Sequence, residues 1–173
     1  TKDFPMSAWP LTEWRDFYVM IGTAAGVLIG ATFIVASLAT GMEKRELGMR
    51  GFITPTAVHL GSVLLGCALL AVPTLTPLSL AIVLGAGCIA GGAYGVVVAA
   101  RIWRMSLDLS DRVFYAILPV VAYGTMAAAV AMAFRHVGPA FEVLAVALVG
   151  LLVVGMRNAW DMASFMITRQ PKN

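Results

Sequence analysis

Charged residues are scarce in this sequence. Asp, Glu, Lys and Arg make up 12% of the 173 residues, whereas 60% are hydrophobic. A soluble domain carries about a quarter charged residues. The basic residues, which give a formal net charge of +3, lie in short runs between apolar segments, as topology signals do in membrane proteins. The composition therefore indicates a membrane protein and gives no support for nucleic acid as a partner.

Residues that carry chemistry are also few. The two cysteines, Cys67 and Cys88, both lie inside apolar segments, and no CxxC pair is present. Zinc-finger and thioredoxin-like chemistry therefore has no basis in the sequence. There is also no nucleophile–base pair, no paired carboxylates and no metal-ligand spacing. We predict no metal site and no cofactor, allow for a bound lipid, and regard an enzyme as the less favoured class.

Charge is missing above all from the middle of the apolar segments, where no Asp, Glu, Lys or Arg occurs. Ionisable residues inside a membrane usually mark ion pathways and proton relays. Their absence argues against a transporter that uses a carboxylate at the membrane midplane.

Five apolar segments are long enough to cross a bilayer, which takes ~20 residues. They cover residues 17–40, 54–72, 78–101, 113–134 and 139–156, and the last continues as an amphipathic extension to about residue 168. Thr54 and Pro55 are typical of a helix start, and Pro119 predicts a kink in the fourth segment. We predict an all-α polytopic protein in which residues 1–173 form one transmembrane domain, a bundle of five transmembrane helices. Residues 1–16 are predicted to lie along the outer surface.

The basic residues predict the orientation, because Lys and Arg accumulate in cytoplasmic loops. Nine of the twelve fall on one side of the predicted bundle, and Lys2, Arg15 and Arg135 fall on the other. The nine are Lys44, Arg45, Arg50, Arg101, Arg104, Arg112, Arg157, Arg169 and Lys172. We therefore predict N-out/C-in topology in a bacterial inner membrane.

Two segments carry glycines at intervals of four residues. These are Gly22, Gly26 and Gly30 in the first segment, and Gly87, Gly91 and Gly95 in the third. Small residues at this spacing allow membrane helices to approach closely. We predict packing within the chain, with the two helices on each other as one arrangement. The alternative is a subunit interface or a narrow passage.

Most of the polarity is predicted to gather at the inner face, as a pore or ligand layer. Its members are Thr56, His59, Ser62, Arg101, Arg157, Asn158 and Asp161. With a helix start at Thr54–Pro55, His59 would lie about 6 Å along its helix. It could bond a neighbouring helix end, serve a pore mouth, ligand site or pH-sensing gate, or bind a metal or haem. Arg101 could reach the interface or bind an anionic lipid, and Arg157 could pair with Asp161 along one helix face.

A second cluster is predicted at the outer face, where Arg135, His136 and Glu142 surround a short loop. It is a candidate gate or binding site. Because His136 lies almost a full membrane away from His59, one chain cannot supply both histidine ligands of a haem.

These observations leave three hypotheses about function. The first is a small oligomeric channel or facilitator for an ion or small solute, with His59 at its inner mouth. The second is a non-transporting accessory or assembly subunit of a larger membrane complex, packed through its glycines. The third is a lipid- or quinone-binding enzyme subunit that uses His59, Tyr94 and the arginines of the inner-face layer. The predicted partners are membrane lipid and either further copies of the chain or other subunits.

Overall fold

A computed structural model describes the backbone of residues 11–39, 46–135 and 138–168, and the side chains of residues 13–37, 53–135 and 138–164. The secondary structure in these ranges is helical. In order, the elements are α1 (Leu11–Ala39), α2 (Glu46–Ala71), α3 (Pro77–Trp103), α4 (Leu109–Arg112), a π-helix (Val113–Ile117), α5 (Leu118–Phe134) and α6 (Ala140–Thr168). The elements α4, π-helix and α5 run on without a break, and together they are called the fourth helix here.

Five helices are long and apolar enough to cross a membrane, as the sequence predicts. The apolar stretches are Glu13–Ser37, Ile53–Ala71, Pro77–Trp103, Leu109–Phe134 and Ala140–Ser164. The all-α prediction is thereby confirmed at the level of helix number, length and composition.

The helix ends differ from the predicted ones in one important place. The helix α2 begins at Glu46 and runs through Pro55, so Thr54 and Pro55 do not mark its start. Proline is tolerated inside such helices because neighbouring groups satisfy the backbone carbonyl that it leaves without a donor. The start of α3 follows the expected chemistry, since Thr76 caps it by accepting from the Ser79 backbone N–H at 3.2 Å and Pro77 follows directly.

Four of the long helices form a ring. Around it, α2 packs on α3, α3 on the fourth helix, the fourth helix on α6, and α6 on α2. The helix α1 lies outside this ring against α2 and α6. Half of the most apolar stretch of α6 is buried, compared with 22% of that of α1, so α6 is central and α1 peripheral.

The six predicted packing glycines divide into two groups. A Cβ on Gly22 would lie 3.0 Å from the Cβ of Cys67, and one on Gly91 would lie 2.3 Å from Cε1 of Tyr123. A Cβ on Gly95 would lie 3.4 Å from Cγ2 of Val120. A Cβ on Gly26, Gly30 or Gly87 would meet no atom of the described residues within 4 Å. The arrangement in which α1 and α3 pack on each other is wrong, because α1 packs mainly on α2 and α6, and α3 mainly on α2 and the fourth helix. Glycine spacing indicates close packing but does not identify the neighbour.

Candidate functional site

Polar side chains meet between the helices of the ring. They are Thr56, His59 and Ser62 of α2, Tyr94 of α3, Tyr115 and Tyr123 of the fourth helix, and Asn158 of α6, and they are called the polar column here. Thr56, His59 and Asn158 are each at most 1% exposed. All four ring helices therefore contribute to one buried polar region.

His59 lies deeper in its helix than the sequence predicts. It is thirteen residues from Glu46 and twelve from Ala71, the two ends of α2, which places it about 18 Å from the Ala71 end. The predicted depth of about 6 Å rested on a helix start at Thr54–Pro55. Because α2 instead begins at Glu46, His59 stands near the middle of its helix.

A chain of hydrogen bonds fixes the proton on the His59 ring. The Ser62 hydroxyl donates to the Val58 carbonyl at 2.9 Å, and the Tyr123 hydroxyl donates to Ser62 Oγ at 2.9 Å. His59 Nδ1 lies 3.1 Å from the Tyr123 oxygen. Each hydroxyl has one hydrogen, and that of Tyr123 is already used. His59 Nδ1 must therefore be the donor, and Nε2 carries a lone pair.

Close packing holds Tyr123, the residue that accepts the hydrogen bond from His59, in place. Tyr123 lies directly over Gly91, where any side chain would collide with its ring. The ring of Tyr94 meets the imidazole of His59 edge to face, with centroids 6.3 Å apart. Tyr94 also packs against the cluster around Tyr115. Tyr94 thus links the His59 end of the polar column to the Asn158 end.

Asn158 satisfies a backbone carbonyl that the fourth helix leaves without a donor. In the π-helix the Leu118 N–H bonds the Val113 carbonyl, and Pro119, next in line, has no N–H. The Phe114 carbonyl therefore lacks both of its usual helical donors, and Asn158 Nδ2 donates to it at 3.4 Å. The structure thus shows a π-helix just before Pro119, where the sequence predicts a kink. Such π-turns are frequent at functional sites.

Tyr115 completes this group. Its hydroxyl donates to the Asn158 backbone carbonyl at 3.3 Å, and its side chain is buried. Among the described residues, the Asn158 side-chain oxygen Oδ1 and His59 Nε2 are buried and have no hydrogen-bond partner. These two atoms are the unsatisfied acceptors of the polar column.

The end of the bundle where α3 ends and α4 begins is called the basic end here. Arg157 forms the predicted ion pair with Asp161, donates to Ser110 Oγ at 3.1 Å, and lies over the Phe114 ring with its guanidinium carbon 4.4 Å from the centroid. Both partners of the ion pair are about a third exposed. The group ties α6 to α4 and the π-helix.

The predicted residues are thus brought together in part. Thr56, His59, Ser62 and Asn158 belong to the polar column, and Arg157 and Asp161 close its basic end. Arg101 is exposed on α3. At the opposite end, Arg135 and Glu142 are exposed and no described ion pair joins them, while His136 lies outside the described residues.

Sequence reasoning missed Tyr115 and Tyr123, although both supply bonds that organise the site. The available signal was a phenolic hydroxyl in an apolar segment, since a buried tyrosine usually finds a hydrogen-bond partner. It could not reveal that the partners lie on α2 and α6.

Comparisons with protein-family models, with curated proteins and with solved structures return no match to this chain.

Proposed function

We propose that this chain is a multi-pass protein of a bacterial inner membrane, with its N-terminus outside, and that it acts as a small channel or facilitator. The observation that carries the proposal is the buried polar column. Membrane helices can pack through small and apolar side chains alone, and burying a polar group costs free energy unless it is hydrogen-bonded. Polar groups from four helices, with two acceptors unsatisfied, favour a path or binding site over a purely structural core.

The described basic residues support the orientation. Arg101, Arg104, Arg112 and Arg157 lie at the basic end, and Arg15 and Arg135 lie towards the opposite end. The positive-inside rule then places the basic end in the cytoplasm.

The two halves of the ring differ in polarity, which supports a gated path. The polar column occupies the half towards the basic end. Towards the opposite end the ring contains apolar side chains, which line a small cavity: Leu70, Leu80, Leu84, Ala129, Phe141 and Leu144. Hydrophobic constrictions gate channels by excluding water. We assign the apolar half to the gate of a closed path and the polar half to its inner vestibule.

Flux through liposomes containing the full chain tests the proposal. Tyr123→Phe removes only the hydroxyl that joins His59 to Ser62, and we expect it to lower the flux about tenfold, as for one good hydrogen bond in an interior. Thr125→Ala is the matched control, because Thr125 lies two residues away and its hydroxyl donates to Val121 of its own helix, its one hydrogen bond among the described residues. Flux no higher than in protein-free liposomes, for water, ions and small solutes alike, would contradict the proposal.

An accessory role is the second candidate, and the open glycines favour it. A Cβ added to Gly26 or Gly30 of α1 would meet no atom of the described residues within 4 Å, on the helix whose most apolar stretch is the least buried. Such a surface fits another membrane helix, from a second copy or from another subunit. Gly26→Leu should then remove co-purifying subunits seen by native mass spectrometry. Ala31→Leu, about 140° around the same helix, should leave them in place.

A further inference from the structure

The unsatisfied atoms of the polar column are both acceptors. His59 Nε2 has its lone pair because the Ser62–Tyr123 chain holds the ring proton on Nδ1. The Asn158 amide is oriented by Nδ2, which donates to Phe114, so the remaining atom is the oxygen Oδ1. Within the described residues neither atom has a partner, and the two side chains are 1% and 0% exposed. A buried acceptor without a donor is costly.

These acceptors lie on neighbouring helices, α2 and α6. Gly155 of α6 lies against Leu60 of α2, where a Cβ would come within 2.5 Å of Leu60 Cδ2. His59 is one residue from this contact and Asn158 three residues from it, both towards the basic end. Both acceptors therefore lie on the basic-end side of the place where α2 and α6 touch.

We propose that His59 Nε2 and Asn158 Oδ1 are two acceptor sites of the polar column, called the acceptor pair here, which select small solutes that donate hydrogen bonds, such as ammonia, ammonium or water. This inference rests on the proposed facilitator function and names the class of solute for it. Each solute hydrogen would meet a lone pair that has no protein donor.

The surroundings exclude other classes of ligand. An anion would face two lone pairs, and Arg157, the cation next to Asn158 in the sequence, is already paired with Asp161. Among the described residues no group of three His, Cys, Asp or Glu could hold a metal ion.

Solute uptake by liposomes containing the full chain tests the selection. Methylammonium is the donor probe and formate is the anionic probe of similar size. We expect the protein to raise methylammonium uptake above that of empty liposomes and to give no formate uptake. His59→Phe removes the acceptor but keeps a ring, and it should reduce methylammonium uptake about tenfold. Formate uptake, or methylammonium uptake that His59→Phe leaves unchanged, would overturn the acceptor pair while keeping the facilitator.

A second measurement does not depend on flux. In a His136→Gln variant, His59 is the only histidine, and solid-state ¹⁵N NMR reports its two nitrogens separately. We expect Nδ1 to be protonated and the Nε2 signal to move on addition of methylammonium but not of formate. An unmoved Nε2 signal overturns the acceptor pair. If Nε2 responds and no solute crosses, the site stands and the facilitator function fails.

Discussion

At the residue scale, the decisive feature is His59, whose tautomer is set by Ser62 through two successive hydrogen bonds. The Ser62 hydroxyl is committed to its own helix at Val58, so it can only accept from Tyr123, and Tyr123 can only accept from His59. An i−4 serine bond of this kind is ordinary in membrane helices. Here it determines which face of the imidazole is basic.

Ser62→Ala should therefore reverse the tautomer. Without Ser62 Oγ, the Tyr123 hydroxyl is free to donate to His59 Nδ1, and the ring proton moves to Nε2. The two ¹⁵N signals of His59 should exchange their protonated and unprotonated positions, with a loss of stability of about 1 kcal/mol. Thr125→Ala should leave the signals unchanged. An unprotonated Nε2 in Ser62→Ala would contradict the hydrogen-bond order.

The glycines of α3 allow a matched comparison of packing. Gly91→Ala would bring a methyl group within 2.3 Å of the Tyr123 ring. The methyl group of Gly87→Ala would have no atom of the described residues within 4 Å. We expect Gly91→Ala to lower the free energy of unfolding by about 1–3 kcal/mol. Gly87→Ala should be neutral or slightly stabilising, because alanine favours the helix. Unfolding of both variants in detergent measures the difference, and equal stabilities would show that Tyr123 does not pack on Gly91.

The sequence led to part of this site. His59 and Ser62 could be singled out because they share a polar stretch of an apolar segment. Tyr123 could not, because its importance comes from its contact with a helix 64 residues away in sequence. Hydropathy determines which residues avoid water but not which helices become neighbours.

At the element scale, the fourth helix shows how a local defect creates a tertiary bond. The π-helix uses the Leu118 N–H for Val113, and Pro119 supplies none, so the Phe114 carbonyl needs Asn158. Hydropathy predicts the five long helices well, since length and apolar content are local properties. It predicts the start of α2 poorly, because the turns from Glu46 to Phe52 lie outside the apolar stretch.

A double-mutant cycle tests this dependence. Asn158→Leu should lower the free energy of unfolding by about 1–3 kcal/mol, because the part-buried Phe114 carbonyl loses its donor. In a Pro119→Ala background the loss should be smaller, since residue 119 then has an N–H that can reach this carbonyl. The non-additive part of the cycle measures the coupling. Strictly additive effects would mean that Asn158 does not compensate for Pro119.

At the scale of the whole molecule, the ring has a polar half and an apolar half. The cavity in the apolar half is lined by side chains from all four ring helices. Leu144 is among them, and it is 5% exposed. If the apolar half acts as the gate, a polar side chain that lets water enter it should open the path. The barrier is then the free-energy cost of placing water among apolar side chains.

Leu144→Ser tests the gate directly. It removes apolar volume and adds a hydroxyl beside the cavity, so flux of methylammonium in liposomes should rise about tenfold, for a barrier lowered by the loss of one buried leucine side chain. Val146→Ser, on the same helix but 70% exposed, controls for the hydroxyl itself and should leave flux unchanged. Circular dichroism and size-exclusion elution show whether each variant keeps its fold. A folded Leu144→Ser protein with unchanged flux would mean that the apolar half is structural, and the polar column would then be a binding site closed towards the opposite end.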